Sequence, residues 1–245
     1  MVLTPGGYKS LGKVTRLNKN EIFSPAAIGM QADRQRDTPA PGSRPAGGWV
    51  AYTKWMNDQT DAIKLFTANW TVPPEPKDKS SQTIFLFIGL QNTRFILQPV
   101  LQWGPSHAGG GSFWSIANWY TDGTLDKTFC SEALPVKPGQ SLTAKIECIG
   151  NAGRNFTYKA SFEGFPQLDI ERNDVIELLW VFVVLESYNV RTADNYPAVS
   201  KVRVGPLQLS TRTTAVSPAW VAIRQPNAVG EPRANFDADG IDLVF

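Results

Sequence analysis

The stretch Gln82–Gly104, QTIFLFIGLQNTRFILQPVLQWG, decides the fold. Two short runs rich in β-branched and aromatic residues, IFLFIG and FILQPVLQWG, flank the polar LQNTR, which is the pattern of paired β-strands. The second run carries Gln98 in apolar surroundings. An amide buried without partners costs about 1–3 kcal/mol, so its presence needs a reason. A second stretch, Val175–Val190 (VIELLWVFVVLESYNV), sets one carboxylate, Glu186, at the end of an apolar run. The two stretches are expected to lie side by side and to bring Gln98 and Glu186 together over a cleft. Plainer readings are a strand glutamine bonded to neighbouring backbone or to Gln102, and a glutamate where a buried strand meets solvent.

Working outward, the rest of the chain repeats the strand pattern. WVAYTKW and IKLFTANWTVPP precede the central stretch. SFWSIANWYTDG, LPVKPGQSLTAKIECIGN, NFTYKASFEG, VSKVRVGPLQL, AWVAIRQ and IDLVF follow, with turn signals at short spacing. Helical periodicity is nearly absent, and no internal repeat is visible. This is the signature of an all-β chain folded as an antiparallel β-sandwich or jelly roll. VIELLWVFVVL is apolar at successive positions, so it is expected at the centre, covered on both sides.

Residues 1–48 read differently. They mix short apolar pieces with Pro, Gly and charge and end in DTPAPGSRPAGG, so an extended arm or linker over 1–48 is expected ahead of one sandwich domain over 49–245. The whole chain has a formal net charge of +2. The arm holds seven Lys/Arg against three Asp/Glu and the remainder 17 against 19, so the basic surplus belongs to the arm. No basic, aromatic-interleaved stripe marks a nucleic-acid surface. No apolar run is long enough to span a membrane. The opening MVLTPGGYKSLGKV lacks the apolar core of a signal peptide, which suits an intracellular protein or a secreted one whose signal lies outside this sequence.

Other chemistry-bearing residues are few. Cys130 and Cys148 flank a hairpin expected to turn near Lys137–Gln140, where a disulfide and two buried thiols are both compatible. With two Cys and one His no zinc site is expected. His107 lies in the loop PSHAGGG and reads as a surface residue. Asp237–Asp242 (DADGID) has the opening of a calcium loop without its bidentate Glu or flanking helices, so a β-turn is expected. Asn69-Trp70-Thr71 and Asn155-Phe156-Thr157 are glycosylation sequons.

Taken in order, FTANWTVPP, LFIGLQN, FILQPVLQWG, ANWYTDG, VKPGQSLTAKI and VVLESY resemble the glutamic peptidases, the eqolisin family, across residues 51–209. The resemblance implies a jelly-roll β-sandwich of the concanavalin A-like kind and cleavage of peptide bonds at acid pH without metal or cofactor. Carried onto this sequence, it implies a dyad of Gln98 and Glu186. Glu186 would act as general base on a water and then protonate the leaving amine. The Gln98 amide would donate to the developing oxyanion, and apolar neighbours such as Trp180 and Phe182 would raise the carboxyl pKa. The sequence departs from the family pattern at Phe87, where a Trp is usual, and at Gln91 and Asn118, where acids are usual. Phe87, Gln91, Trp103, Trp114, Asn118, Trp119 and Tyr120 are the expected substrate-binding residues. The ligand implied is a polypeptide. The alternative is a non-catalytic, lectin-like sandwich whose aromatic residues stack on a glycan.

Overall fold

Hairpins dictate the strand order. The computed structural model describes residues 2–3, 48–58, 61–122 and 127–245. The arm expected over 1–48 falls, apart from Val2, Leu3 and Gly48, outside the described residues. In chain order the strands are β1 (Val2–Leu3), β2 (Gly48–Met56), β3 (Ile63–Thr71), β4 (Thr83–Gln91), β5 (Phe95–Ser106) and β6 (Gly109–Asp122). There follow β7 (Lys127–Cys130), β8 (Leu134–Pro135), β9 (Ser141–Ala152), β10 (Asn155–Phe162), β11 (Ile170–Val175) and β12 (Trp180–Tyr188). The last are β13 (Lys201–Val204), β14 (Leu207–Thr211), β15 (Val221–Arg224), β16 (Arg233–Phe236) and β17 (Ile241–Val244).

These strands build a large sheet, β15-β2-β12-β4-β5-β6-β7 with β8 on β6, and a small sheet, β1-β11-β10-β9-β3-β14. A three-stranded sheet, β13-β17-β16, completes the fold. All pairings are antiparallel. The antiparallel β-sandwich expected from the sequence is therefore what the chain forms. No helix among the described residues is long and apolar enough to cross a membrane.

One expectation is corrected here. The strands carrying Gln98 and Glu186 are not neighbours, because β4 lies between β5 and β12. The reason is local. Asn92 closes the β4–β5 hairpin, its side-chain oxygen accepting from the N–H groups of Arg94 and Phe95, both at 2.8 Å. The next hairpin takes the other edge of β5 for β6. Both edges of β5 are then used, and β12 can enter only on the free edge of β4. As expected from its composition, β12 is central, with β2 on its far side.

Between the sheets lies the main core. From β12 it takes Val181, Val183 and Leu185, from β4 Ile84, Leu86 and Ile88, and from the small sheet Phe66, Ile146, Tyr158 and Ile170. Side chains of a strand alternate between faces. Hence Trp180, Phe182, Val184, Glu186 and Tyr188 occupy the opposite, outer face of the large sheet. A second apolar cluster stands there, built from Trp49, Phe85, Phe87, Ile96, Val100, Ala117, Trp119, Cys130, Phe182 and Val184 together with Ala108.

The cysteines do not face one another across a hairpin. Cys130 ends β7 in the large sheet and Cys148 sits on β9 in the small one; both are buried, and no disulfide joins them. The Asp237 loop is a β-turn before β17, as expected. Asp237 Oδ1 accepts from the N–H groups of Asp239 and Gly240, and its carboxylate is paired with Arg203 at 2.5 Å.

Candidate functional site on the outer face of the large sheet

The outer face is best described as rows running across the strands. The first row is Phe182–Gly89–Gln98–Trp119–Cys130. Phe182 pairs with Gly89, Gln98 with Trp119, and Trp119 with Cys130. Gly89 stands opposite Gln98 because the register kept by Phe87↔Val100 and Leu90↔Leu97 runs straight through the gap between them. That gap has a cause: Pro99 has no N–H to give to the ladder. A methyl group at Gly89 would lie 3.7 Å from Gln98 Cγ and 3.4 Å from Ile96 Cδ1. Gly89 therefore leaves a notch over which the side chains of β5 and β12 face each other, and the residue facing Gln98 is Phe182.

Glu186 stands in another row, Trp49–Glu186–Phe85–Gln102–Ser115. It shares the face with Gln98 but is displaced by two strands and by four residues along the chain. Strand spacing and rise put the two backbones about 16 Å apart. Gln98 and Glu186 are both fully buried, at 0% exposure. The Tyr188 hydroxyl donates to Glu186 Oε1. Gln102, the amide in the row of Glu186, is engaged by the β5–β6 turn. It donates to Gly109 O at 3.0 Å and Gly104 O at 3.3 Å and accepts from Ser106 Oγ at 2.9 Å.

The expected substrate-binding residues divide by face. Phe87, Gln91 and Trp119 lie on the outer face, Phe87 and Gln91 on the same side of β4 as Gly89 and Trp119 directly beside Gln98. The Gln91 side-chain oxygen and the Trp119 indole N–H are buried there without a hydrogen-bond partner.

Trp103, Trp114, Asn118 and Tyr120 point the other way, into the space between the sheets. Trp103 and Trp114 pack edge to face at 5.5 Å within the main core. Asn118 is a tie between layers, its amide donating to the carbonyl of Leu168 at 2.8 Å. Tyr120 stacks on Phe95 at 5.7 Å under the guanidinium of Arg172. Its phenol is pushed well above the ordinary range by burial, which outweighs the opposing pull of Arg172. These four residues hold the sandwich together.

Three further residues shape this face: Gly89 and Trp49 were not singled out in the sequence, and Phe182 was read there only as an apolar neighbour of Glu186. Phe182 occupies the place across from Gln98, Gly89 makes the notch, and Trp49 centres an aromatic group. The Trp49 ring meets Phe182 at 5.0 Å, Tyr52 at 5.3 Å and Phe87 at 5.6 Å, each edge to face. Burial raises the Tyr52 phenol pKa. A signal for Phe182 was present: it precedes Glu186 by four residues and so shares its face.

No family model matches the chain, and no curated protein matches it. Solved structures do. One is scytalido-glutamic peptidase with a peptide-based transition-state analog, at TM-score 0.55 and 9% identity, covering 82% of this chain and 100% of that one. Another is SCP-B, a member of the eqolisin family of peptidases, in complex with the tripeptide Ala-Ile-His, at TM-score 0.52 and 10% identity with the same coverage. The protein has the β-sandwich fold seen in eqolisin glutamic peptidases, in a sequence far from theirs.

Proposed function

We propose that this protein binds polypeptide on the outer face of the large sheet without hydrolysing it. One observation carries the reading: the side chain facing Gln98 across Gly89 is Phe182, a hydrocarbon, where a Gln/carboxylate dyad needs an acid. An amide alone supplies an oxyanion donor but no base to activate water and no acid for the leaving amine.

The ligand class follows from the buried polar groups on the face. Gln91 offers an acceptor and Trp119 a donor, neither bonded within the protein. Buried polar atoms left so cost about 1–3 kcal/mol each, a cost relieved by a ligand carrying both N–H and C=O groups. The fold's solved neighbours that carry a peptide-based analog and a tripeptide are in keeping with this. A glycan is less well suited. Sugars stack on open ring faces, whereas Trp103 and Trp114 pack within the main core.

Two measurements test the proposal. Incubated with an acid-denatured protein at about pH 3–4, where a carboxyl dyad works, wild type and Glu186→Gln are both expected to leave it intact. An array of unstructured peptides is expected to give binders whose addition shifts the tryptophan emission. Cleavage that disappears in Glu186→Gln would establish the hydrolase instead. Absence of any peptide binder would remove the binding function.

A further inference from the structure

We propose that a groove on the outer face of the small sheet binds a neutral oligosaccharide, on the side of the sandwich opposite the polypeptide face. The inference stands apart from the polypeptide reading, since the two sites share no residue.

Register sets the floor of the groove. Gln208 pairs with Thr67, Thr67 with Lys145 and Lys145 with Ser161, so one row of side chains crosses β14, β3, β9 and β10. Asn69 and Thr143 form the next row. The result is a floor of hydroxyls, amides and one ammonium, with Pro166 and Asp169 of the β10–β11 connection beside it. The groove has a volume of about 750 Å3, within the range of small-molecule sites. From Thr143 to Ile149 strand β9 runs about 20 Å along it, long enough for several linked sugar rings.

Charge narrows the choice of ligand. In the lining two lysines stand against four acids, Glu147, Glu163, Asp169 and Glu171. Lys145 already holds Glu147 at 2.9 Å, and Lys159 holds Asp169 at 2.6 Å. A phosphate or other anion would meet lysines that are paired and a surplus of like charge. Glu163 is exposed and Glu171 lies 4.0 Å from Lys159, so a cationic guest would gain only solvent-screened contacts.

Hydrogen bonding decides among neutral ligands. Asn69 Oδ1 and Asp169 Oδ1 are buried in the lining with no hydrogen-bond partner. Acceptors so enclosed admit only a small donor, and a hydroxyl is one that also accepts in return. The Thr67, Thr143 and Ser161 hydroxyls and the lysine ammoniums supply the complementary donors. A ligand with hydroxyls on successive carbons therefore finds a partner whichever way each one turns. Ile149, 42% exposed, and Pro166 give the C–H groups of a sugar ring an apolar surface. A polypeptide is less well suited, because its apolar side chains would rest on a polar floor.

The test titrates the full chain by calorimetry with cellotetraose, xylotetraose, mannotetraose and chitotetraose, and with tetragalacturonate and tetralysine as anionic and cationic comparisons. At least one neutral tetrasaccharide is expected to bind more tightly than either charged oligomer. Lys145→Ala and Thr143→Val should each weaken it about two- to tenfold, the worth of one hydrogen bond. Thr67→Trp, whose fold is checked by circular dichroism, fills the middle of the floor and should abolish sugar binding. Lys54→Ala, an exposed change on the other sheet, should leave it unchanged. Failure of all four sugars to bind would overturn the proposal. So would tighter binding of tetragalacturonate or tetralysine, or sugar binding that survives in a folded Thr67→Trp. None of these results bears on the polypeptide face.

Discussion

The two outer faces of the sandwich are built on opposite rules. On the small sheet the exterior is an ion-pair ladder. Lys145 pairs with Glu147 at 2.9 Å, Lys159 with Asp169 at 2.6 Å, and Lys64 with Glu147 at 3.3 Å. Lys145, Glu147, Lys159 and Asp169 line a groove of about 750 Å3 with Thr67, Asn69, Thr143 and Ser161. On the large sheet the exterior is a buried aromatic cluster holding one acid and a few amides. The first face pairs its lysines with acids, although Asn69 Oδ1 and Asp169 Oδ1 are buried there without a hydrogen-bond partner. The second buries its polar groups among rings, and it is the face that carries Gln98 and Glu186. Fold alone assigns neither role, since both faces come from the same alternation of side chains.

Four substitutions and one pH series would break or sharpen that contrast. The largest effect is expected from Phe182→Glu, which sets a carboxylate across Gly89 from Gln98. Cleavage of an acid-denatured protein should rise from none to a measurable rate at about pH 3–4, where such a base and acid operate. A Phe182→Glu, Gln98→Ala double variant should be silent again. If the single variant folds and stays silent, the row geometry is not that of a dyad. Next comes Trp119→Ala. Removing a fully buried indole should cost about 3–5 kcal/mol in urea unfolding. A cost below about 1 kcal/mol, the range of exposed positions, would show that the outer face is not a packed layer.

Smaller effects are expected elsewhere. Asn118→Ala strips the donor to Leu168 and should cost about 1–3 kcal/mol, since the carbonyl is left buried. On the ladder face, Lys145→Ala should change stability by no more than about 0.5 kcal/mol, because exposed ion pairs contribute little. Asp61 and Asp237, both in exposed ion pairs, add a small acid dependence to stability. The Arg212 and Arg203 guanidiniums beside them hold both carboxyls below the usual range, Asp237 at about 2. A depressed carboxyl stabilises the fold above its unfolded pKa and loses that contribution as pH falls through its folded pKa. The melting temperature should therefore hold down to about pH 4 and fall below it. Arg212→Ala should flatten part of that fall.

Much of the sandwich was legible in the sequence because alternation and turn residues are local properties. The central position of β12 was visible in its apolar composition, and the hairpin of β4 and β5 in LQNTR. Facing was legible as well. Trp103 lies five residues from Gln98, an odd spacing that sends the two to opposite faces, and adjacent Trp119 and Tyr120 cannot share one. Strand order was not legible. That β4 separates Gln98 from Glu186 depends on which edges remain open after the hairpins form, and short apolar strands carry no record of their neighbours. The expectation that Glu186 adjoins Gln98 rested on sequence neighbourhood, whereas register sets the rows, and the row of Gln98 holds Phe182.

Consecutive hairpins through β4, β5 and β6 have a consequence for how this face comes into being during synthesis. Those strands can zip together from contacts only a few residues apart. β12 lies some 90 residues further along and must close a long loop before it docks on β4, a step set by chain entropy and slow relative to hairpin closure. A nascent chain stalled short of Trp180 would thus hold Gln98, Gly89 and Trp119 but neither Phe182 nor Glu186. The outer face takes its final form only when β12 docks.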